Sequence, residues 1–125
     1  MEIINLLKET LEILKEHGKS PNDVLWVGSK DGEYAISWKE FEKIAKKVNY
    51  NCDFGSQKIA CDLVVVGKNW WLERSEYDGA EGWVFKTKPK RKRNAKKFNI
   101  VCVDDVGLIG WEDLNTLNGG DKNES

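Results

Sequence analysis

The order of helices and strands is the feature that most constrains the fold of this chain. Apolar side chains recur every three or four residues over residues 2–17 and again after residue 37, which predicts two amphipathic helices. Short apolar runs predict the strands, giving the order α-β-β-α-β-β-β-β. Because strands and helices do not alternate regularly, the order favours an α+β fold. We predict that both helices pack on one face of a mostly antiparallel sheet of five to six strands.

The second helix has the clearest start in the sequence. Ser37 and Glu40 have the spacing of a capping box, and Ile36 and Phe41 occupy the positions of a hydrophobic staple. The predicted apolar face of this helix consists of Trp38, Phe41, Ile44, Ala45 and Val48. The first helix is predicted to end in a turn that contains His17, because Gly18 fits the left-handed position that follows many helices.

The strands differ in how deeply they should be buried. They are predicted at residues 24–28, 34–36, 63–66, 70–76, 82–85 and 98–103. Residues 63–66 are apolar at every position, which is typical of a central strand that is covered on both faces. Residues 77–80 contain an Asp-Gly pair and should close a hairpin between the fourth and fifth strands, and residues 49–57 are predicted to form a loop.

The predicted hairpin over residues 70–85 is rich in aromatic and acidic residues. Trp70 and Trp71 are adjacent on a strand, so they point to opposite faces. One of them should be at least partly exposed, or else covered by the tail around Trp111. Aromatic pairs across strands could simply stabilise the hairpin. Alternatively, an exposed tryptophan could anchor a protein partner, and the acidic neighbours favour a basic surface. The candidate partner-binding residues are Trp70, Trp71, Glu73, Glu76, Tyr77, Asp78 and Trp83.

A basic segment at residues 86–97 separates charge along the chain. It holds eight lysines and arginines and no acidic residue, whereas the whole chain has a net charge of −1. Three interpretations stay open: a solvated connection between strands, a site for the phosphate backbone of nucleic acid, and an attachment site for an acidic protein. The candidate nucleic-acid-binding residues are Lys86, Lys88, Lys90, Arg91, Lys92, Arg93, Lys96 and Lys97.

The sequence offers little for catalysis or metal binding. The chain has three cysteines, Cys52, Cys61 and Cys102, and His17 is its single histidine. This set lacks the paired spacing of a zinc site, so we expect buried, reduced thiols and no metal. Phosphate-binding loops, dinucleotide fingerprints and zinc-protease motifs do not occur. We therefore predict a protein that is not an enzyme and has no cofactor.

The length of 125 residues fits one domain. We predict a single α+β domain over residues 1–117, with a basic connection at 86–97 and a flexible polar tail at 118–125. The N-terminal residues lack the pattern of a signal peptide, and the longest apolar run covers only residues 63–66. These features predict a cytoplasmic protein.

Four stretches of the chain resemble small accessory proteins of phages and prophages of Gram-positive bacteria. They are residues 25–32 (LWVGSKDG), 37–45 (SWKEFEKIA), 62–66 (DLVVV) and 70–85. Some proteins of this type inhibit host defence systems by occupying a host protein, as anti-CRISPR proteins do. The resemblance implies a non-enzymatic protein that acts in the host cytoplasm on a nucleic-acid-associated host protein. The alternative is a nucleic-acid-binding module that uses residues 86–97.

Overall fold

The protein has an α+β fold, which a computed structural model describes for residues 3–51, 56–77, 79–103 and 112–119. Within these residues there are three α-helices, a five-stranded antiparallel sheet and a two-stranded sheet. The chain divides into two compact units, Met1–Pro89 and Lys90–Ser125. The boundary between the units falls inside the predicted basic connection. The α+β class predicted from the sequence is thus confirmed.

Both sheets lie in the first unit. Its elements are β1 (Ile3–Asn5), α1 (Leu6–Glu16), β2 (Val24–Ser29), β3 (Ala35–Ile36), α2 (Trp38–Ala45), β4 (Asn49–Asn51), β5 (Leu63–Gly67), β6 (Trp70–Tyr77) and β7 (Ala80–Thr87). A 3₁₀ turn, Pro21–Asp23, precedes β2. The large sheet has the order β3-β2-β5-β6-β7, and β1 pairs with β4 in the small sheet. The predicted β6–β7 hairpin is present, with Tyr77 opposite Ala80 at its closed end.

The first helix begins later than the sequence predicts. Ile3 to Asn5 form β1, which pairs with β4, and Asn5 caps α1 by accepting a hydrogen bond from the Lys8 backbone N–H at 3.0 Å. The prediction of helix at residues 3–5 is therefore wrong, as is that of loop at residues 49–51. The apolar spacing of Ile3 and Ile4 also fits a helix, and pairing with a distant strand leaves no local signal.

The helix termini agree better with the sequence. The hydroxyl of Ser37 accepts a hydrogen bond from the backbone N–H of Glu40 at 3.2 Å, and the Glu40 carboxylate accepts one from the Ser37 N–H at 3.0 Å. This reciprocal pair confirms the capping box. Gly18 has a φ of 71°, as predicted for the residue that ends α1. Ile44, in contrast, is exposed, so the apolar face of α2 is narrower than predicted.

The second unit contains the short helix α3 (Leu114–Leu117) and none of the predicted strand at residues 98–103. Instead, the side chain of Asn118 accepts hydrogen bonds from the backbone N–H groups of Asn99 and Ile100 at 3.2 and 3.0 Å. It also donates to the backbone oxygen of Ile100 at 3.0 Å. The apolar residues at 98–103 fit a strand pattern, but a strand also requires a neighbouring strand to pair with.

The core of the first unit lies on one face of the large sheet. Val27, Val65, Leu72 and Phe85 face one another across four neighbouring strands. Helices α1 and α2 contribute buried side chains to the same cluster, which includes Leu6, Leu14, Phe41 and Ala45. Both Val64 and Val65 are buried, and β5 lies in the middle of the large sheet, which confirms its predicted central position. The predicted cover on both faces is incomplete, because Val66 is only half-buried on the face opposite the core. Side chains alternate along each strand, so the residues between the core positions project from the opposite face.

Candidate interaction surface on the sheet

Trp70 and Trp71 point to opposite faces of the sheet, and their exposure differs accordingly. Trp70 is 4% exposed and belongs to the core cluster. Its indole lies directly over Gly67, where a Cβ atom would overlap the ring, so only glycine fits this position. Trp71 is half-buried on the other face. Trp70 is therefore part of the core, which corrects its inclusion among the candidate partner-binding residues, and Trp71 is the accessible member of the pair.

An open face, which we define as Trp26, Val64, Val66 and Trp71, lies on the side of the sheet opposite the core. Trp26 is opposite Val66 across β2 and β5, and Val66 is opposite Trp71 across β5 and β6. The two indoles thus lie in one row with a valine between them. Together with Lys30, these residues line a shallow cavity of about 260 Å³. Such a combination of large aromatic and small aliphatic side chains is typical of a surface that receives an apolar group.

Glu73 organises the polar rim of the open face. Its carboxylate accepts a hydrogen bond from the Trp71 indole N–H at 2.7 Å and lies 3.5 Å from the ammonium groups of both Lys30 and Lys86. The hydrogen bond from Trp71, aided by the two lysines, lowers the pKa of Glu73. These contacts hold the Trp71 ring in one orientation, which reduces the entropy that the side chain would lose when a partner binds.

The other predicted hairpin residues have different environments. Trp83 is buried, and its indole N–H donates to the hydroxyl of Thr10 in α1 at 2.9 Å, so it belongs to the core instead of the predicted partner surface. Glu76 accepts a hydrogen bond from the Gly79 backbone N–H at 2.7 Å and stabilises the turn. Tyr77 is 83% exposed. Asp78 lies outside the described residues.

A buried arginine network lies on the core face of the same hairpin, and the sequence interpretation missed it. The Arg74 guanidinium donates to Glu81 at 2.9 Å and to the Tyr50 hydroxyl at 3.0 Å, and lies 3.4 Å from Glu9. It also stacks against the Trp83 ring, with Cζ 4.6 Å from the centroid. The signal was available, because Arg74 continues the alternation of Trp70 and Leu72 and is therefore directed into the core.

The basic segment is distributed over both units of the chain. Lys86 of β7 forms an ion pair with Glu73 of β6, and the Lys88 backbone N–H donates to the Asn69 carbonyl oxygen at 2.9 Å. The other six candidate residues belong to the second unit. They are Lys90, Arg91, Lys92, Arg93, Lys96 and Lys97, and all of them are exposed. A turn in this stretch is closed by a hydrogen bond from the Ala95 N–H to the Lys92 oxygen at 3.2 Å.

The described cysteines have surroundings that differ from the prediction, whereas His17 lies at the end of α1, as predicted. Cys61 and Cys102 are free thiols that are exposed, not buried, because both lie outside the strands and the core; Cys52 lies outside the described residues. The His17 ring stacks on Phe85, with centroids 4.1 Å apart. Among the residues that the structure describes, no group of three or more histidine, cysteine, aspartate or glutamate side chains could hold a metal ion.

Comparison of the chain with protein-family models, with curated proteins and with solved structures finds no match. None of the helices in the described ranges is long and apolar enough to cross a membrane.

Proposed function

We propose that the protein is a non-enzymatic interaction protein that binds a host protein through the open face. The single observation that carries this proposal is the row formed by Trp26, Val66 and Trp71 on the face opposite the core. Tryptophan is among the residues most enriched at the energetic centres of protein interfaces. The side chains of this surface are indoles, valines and ion pairs, which suit them to binding rather than to bond making or breaking.

The arrangement of the helices supports this use of the open face. Thr10 of α1 bonds to Trp83, and Phe41 of α2 is buried in the core cluster. In the proposed arrangement both helices pack on the core face of the sheet and leave the opposite face to a partner. Orientation of Trp71 by Glu73 then supplies a rigid aromatic anchor.

Charge indicates the class of partner. Outside the eight cations of residues 86–97, the chain has nine more acidic than basic residues. A negative body is attracted to cationic surfaces, such as the groove of a protein that binds nucleic acid. The proposal is therefore a phage-type protein that occupies a nucleic-acid-associated host defence protein and blocks it, in the manner of an anti-CRISPR protein.

A second candidate function is binding of nucleic acid by the basic segment. The observation in its favour is that every residue from Lys88 to Lys97 is exposed. Exposed lysines and arginines can neutralise phosphates without any defined geometry, and the affinity then depends strongly on salt. The acidic remainder of the chain repels phosphate, so this binding would be weak and independent of base sequence.

Capture from the lysate of a Gram-positive host, with and without nuclease treatment, tests the leading proposal. We expect a captured protein that survives nuclease. Trp71→Ala should weaken its binding by about 2 kcal/mol or more, measured by calorimetry with the purified partner, because a central tryptophan anchor is lost. The loss of stability should be small, as judged by the denaturant midpoint.

Tyr34→Ala is the matched control, since Tyr34 is 74% exposed and lies outside the open face. It should bind the captured protein as tightly as the unmodified chain does. Equal binding by Trp71→Ala and Tyr34→Ala would contradict the proposal. Capture of DNA or RNA alone, lost on nuclease treatment, would favour the second candidate.

A further inference from the structure

Strand β7 forms an outer edge of the large sheet. It runs from Ala80 to Thr87 and pairs with β6 on one side in an uninterrupted register. The strand contains no proline, and its pairing has no bulge, although these features commonly protect exposed edges. The strand at the other edge, β3, is only two residues long. Among the edges of the large sheet, β7 is therefore the one that can receive another strand.

The outward-facing backbone groups of β7 can be identified from the register. The backbone N–H of Lys88 donates a hydrogen bond to the backbone oxygen of Asn69, the residue opposite it. Along an antiparallel pair of strands, opposite residues alternate between those that exchange backbone hydrogen bonds and those that do not. The backbone groups that face away from β6 are therefore those of Glu81, Trp83, Phe85 and Thr87. None of them makes a backbone hydrogen bond outside the β6–β7 pair within the described parts of the chain.

An acidic groove lies between α1 and this edge at Gly82 and Trp83. Glu9, Glu12 and Glu16 line it together with Gly82 and Trp83, and its volume is about 330 Å³. Glu12 and Glu16 are exposed and have no ion pair among the described residues. They lie one helical turn apart, a rise of about 6 Å, close to the about 7 Å between alternate residues of a strand.

We propose that an extended, basic segment of a partner protein adds to β7 as an antiparallel strand. Residues directly opposite each other in an antiparallel pair point to the same face. A residue that bonds to the backbone of Trp83 or Phe85 therefore directs its side chain toward α1. Lysine or arginine at every second position of the segment meets the glutamates of the groove, while the backbone supplies the ladder of hydrogen bonds.

A second copy of this chain fits the edge less well. Antiparallel pairing of β7 with its own copy would place both α1 helices on the same face of one continuous sheet. The rows of Glu12 and Glu16 would then approach each other, and like charges at such a seam are unfavourable. A cationic segment removes this repulsion, so charge complementarity selects the basic partner.

Synthetic peptides of about ten residues provide the test with the full-length protein. A fluorescent peptide that alternates lysine and threonine should bind in an anisotropy titration at low salt. A peptide with the same composition but with all lysines in one block should bind about tenfold more weakly or worse, because alternate positions no longer match the groove. Both peptides carry the same charge, so equal affinity would overturn the proposal.

Methylation of the peptide backbone tests the strand pairing itself. In the proposed arrangement the lysine N–H groups face β7 and the threonine N–H groups face away. Methylation of the lysine amides should therefore abolish binding, whereas methylation of the threonine amides should preserve it. The antiparallel arrangement would be overturned if both methylated peptides lost binding or if both retained it. It would also be overturned if only the peptide methylated at the threonine amides lost binding.

Variants of the protein locate the site. Replacing both groove residues, Glu12→Lys and Glu16→Lys, should weaken the alternating peptide about tenfold or more, through lost attraction and added repulsion. Glu33→Lys with Glu42→Lys is the control with the same change of net charge, at exposed positions outside the groove. Equal weakening by the two pairs would overturn the proposal, as would self-association through β7 without peptide binding. Trp71→Ala should leave the peptide affinity unchanged, because this site uses residues outside the open face.

Discussion

At the scale of single residues, Arg74 shows how a charge is accommodated in the interior of the first unit. Its side chain is fully buried, and the side chain of its partner Glu81 is almost fully buried. Glu81 also accepts hydrogen bonds from the backbone N–H groups of Lys58 and Ile59 at 2.6 and 3.2 Å. The network therefore links β6, β7 and the chain that precedes β5. Removing one partner from such a group leaves the other charge buried and uncompensated.

We expect Arg74→Met to destabilise the protein by about 3–5 kcal/mol, because the Glu81 carboxylate would lose its buried counter-charge. Urea unfolding gives the measurement. Lys86→Met is the control, since the Lys86–Glu73 pair is partly exposed and should contribute about 1 kcal/mol or less. The double variant Arg74→Met with Glu81→Gln should lose less than the sum of its parts. An additive result would mean that the two side chains do not interact.

Low pH should also destabilise the protein, because it protonates the carboxylate of Glu81. Burial would raise the pKa of this carboxyl, but hydrogen bonds from Lys58, Arg74 and Ile59 outweigh it and lower the pKa below its usual value. The stabilisation that the ionised Glu81 gives the folded protein is therefore complete above the usual glutamate pKa of about 4.3. It is lost as the pH falls through the lower pKa of the folded state.

Urea midpoints between pH 7 and about pH 3 should fall for the unmodified protein, because the unfolded chain binds more protons. Glu81→Gln should start lower at pH 7 and lose less on acidification. Asp31, Glu40 and Glu73 also have lowered pKa values from their own hydrogen bonds, so part of the acid dependence should persist. The same dependence in both proteins would contradict this role of Glu81.

At the scale of elements, α2 is specified locally and β1 is not. The capping box of α2 lies within four residues of sequence, and the structure reproduces it. β1 exists through its pairing with β4, more than 40 residues away along the chain. The same distinction applies to residues 98–103, which have a strand-like pattern but no strand. Local hydrogen bonds can be predicted from residues that are close in sequence. Strand pairing cannot, because it requires a distant segment to be in place.

Ser37→Ala tests the cap of α2. Loss of the hydroxyl that accepts the Glu40 N–H should destabilise the protein by about 0.5–2 kcal/mol. The urea midpoint should fall at an unchanged m-value. Ser75→Ala is the control, because Ser75 is exposed on β6. If the two variants had the same midpoint, the cap would contribute nothing to stability.

At the scale of the whole molecule, the basic segment at residues 86–97 is continuous in sequence but is divided between the two structural units. The boundary between the two units lies between Pro89 and Lys90, so Lys86 and Lys88 belong to the unit that contains the sheet. Lys86 is engaged by Glu73. The cations available to a phosphate backbone are therefore mainly the six of the second unit. This division decides which positions a test of nucleic-acid binding should change.

If the segment binds duplex DNA, replacing Lys90, Arg91, Lys92 and Arg93 by glutamine should reduce the slope of log K against log salt. Each lost phosphate contact changes the slope by about 0.9, which an anisotropy titration resolves readily. The control replaces four exposed lysines of the α2 region and its C-terminal end, Lys39, Lys43, Lys46 and Lys47, with the same change of net charge. Equal effects of the two sets would indicate a response to net charge alone, and no binding at low salt would reject the second candidate function.

The sequence by itself determined the features that depend on neighbouring residues. These are the α+β class, the cap of α2, the glycine that ends α1, the central position of β5 and the β6–β7 hairpin. It also determined that Trp70 and Trp71 face opposite sides, since side chains alternate on any strand. Periodicity alone does not say which of the two faces the core.

Only the tertiary structure decided which tryptophan is accessible and what surrounds it. Trp70 is buried because Gly67 leaves room for its indole. Trp71 lines the same shallow cavity as Trp26 because β2 and β6 both flank β5. The Arg74 network and the acidic groove beside β7 likewise join residues that are far apart in the chain. Such contacts depend on the relative placement of whole elements, and the free energy that fixes this placement comes from burial of the common core rather than from any local pattern.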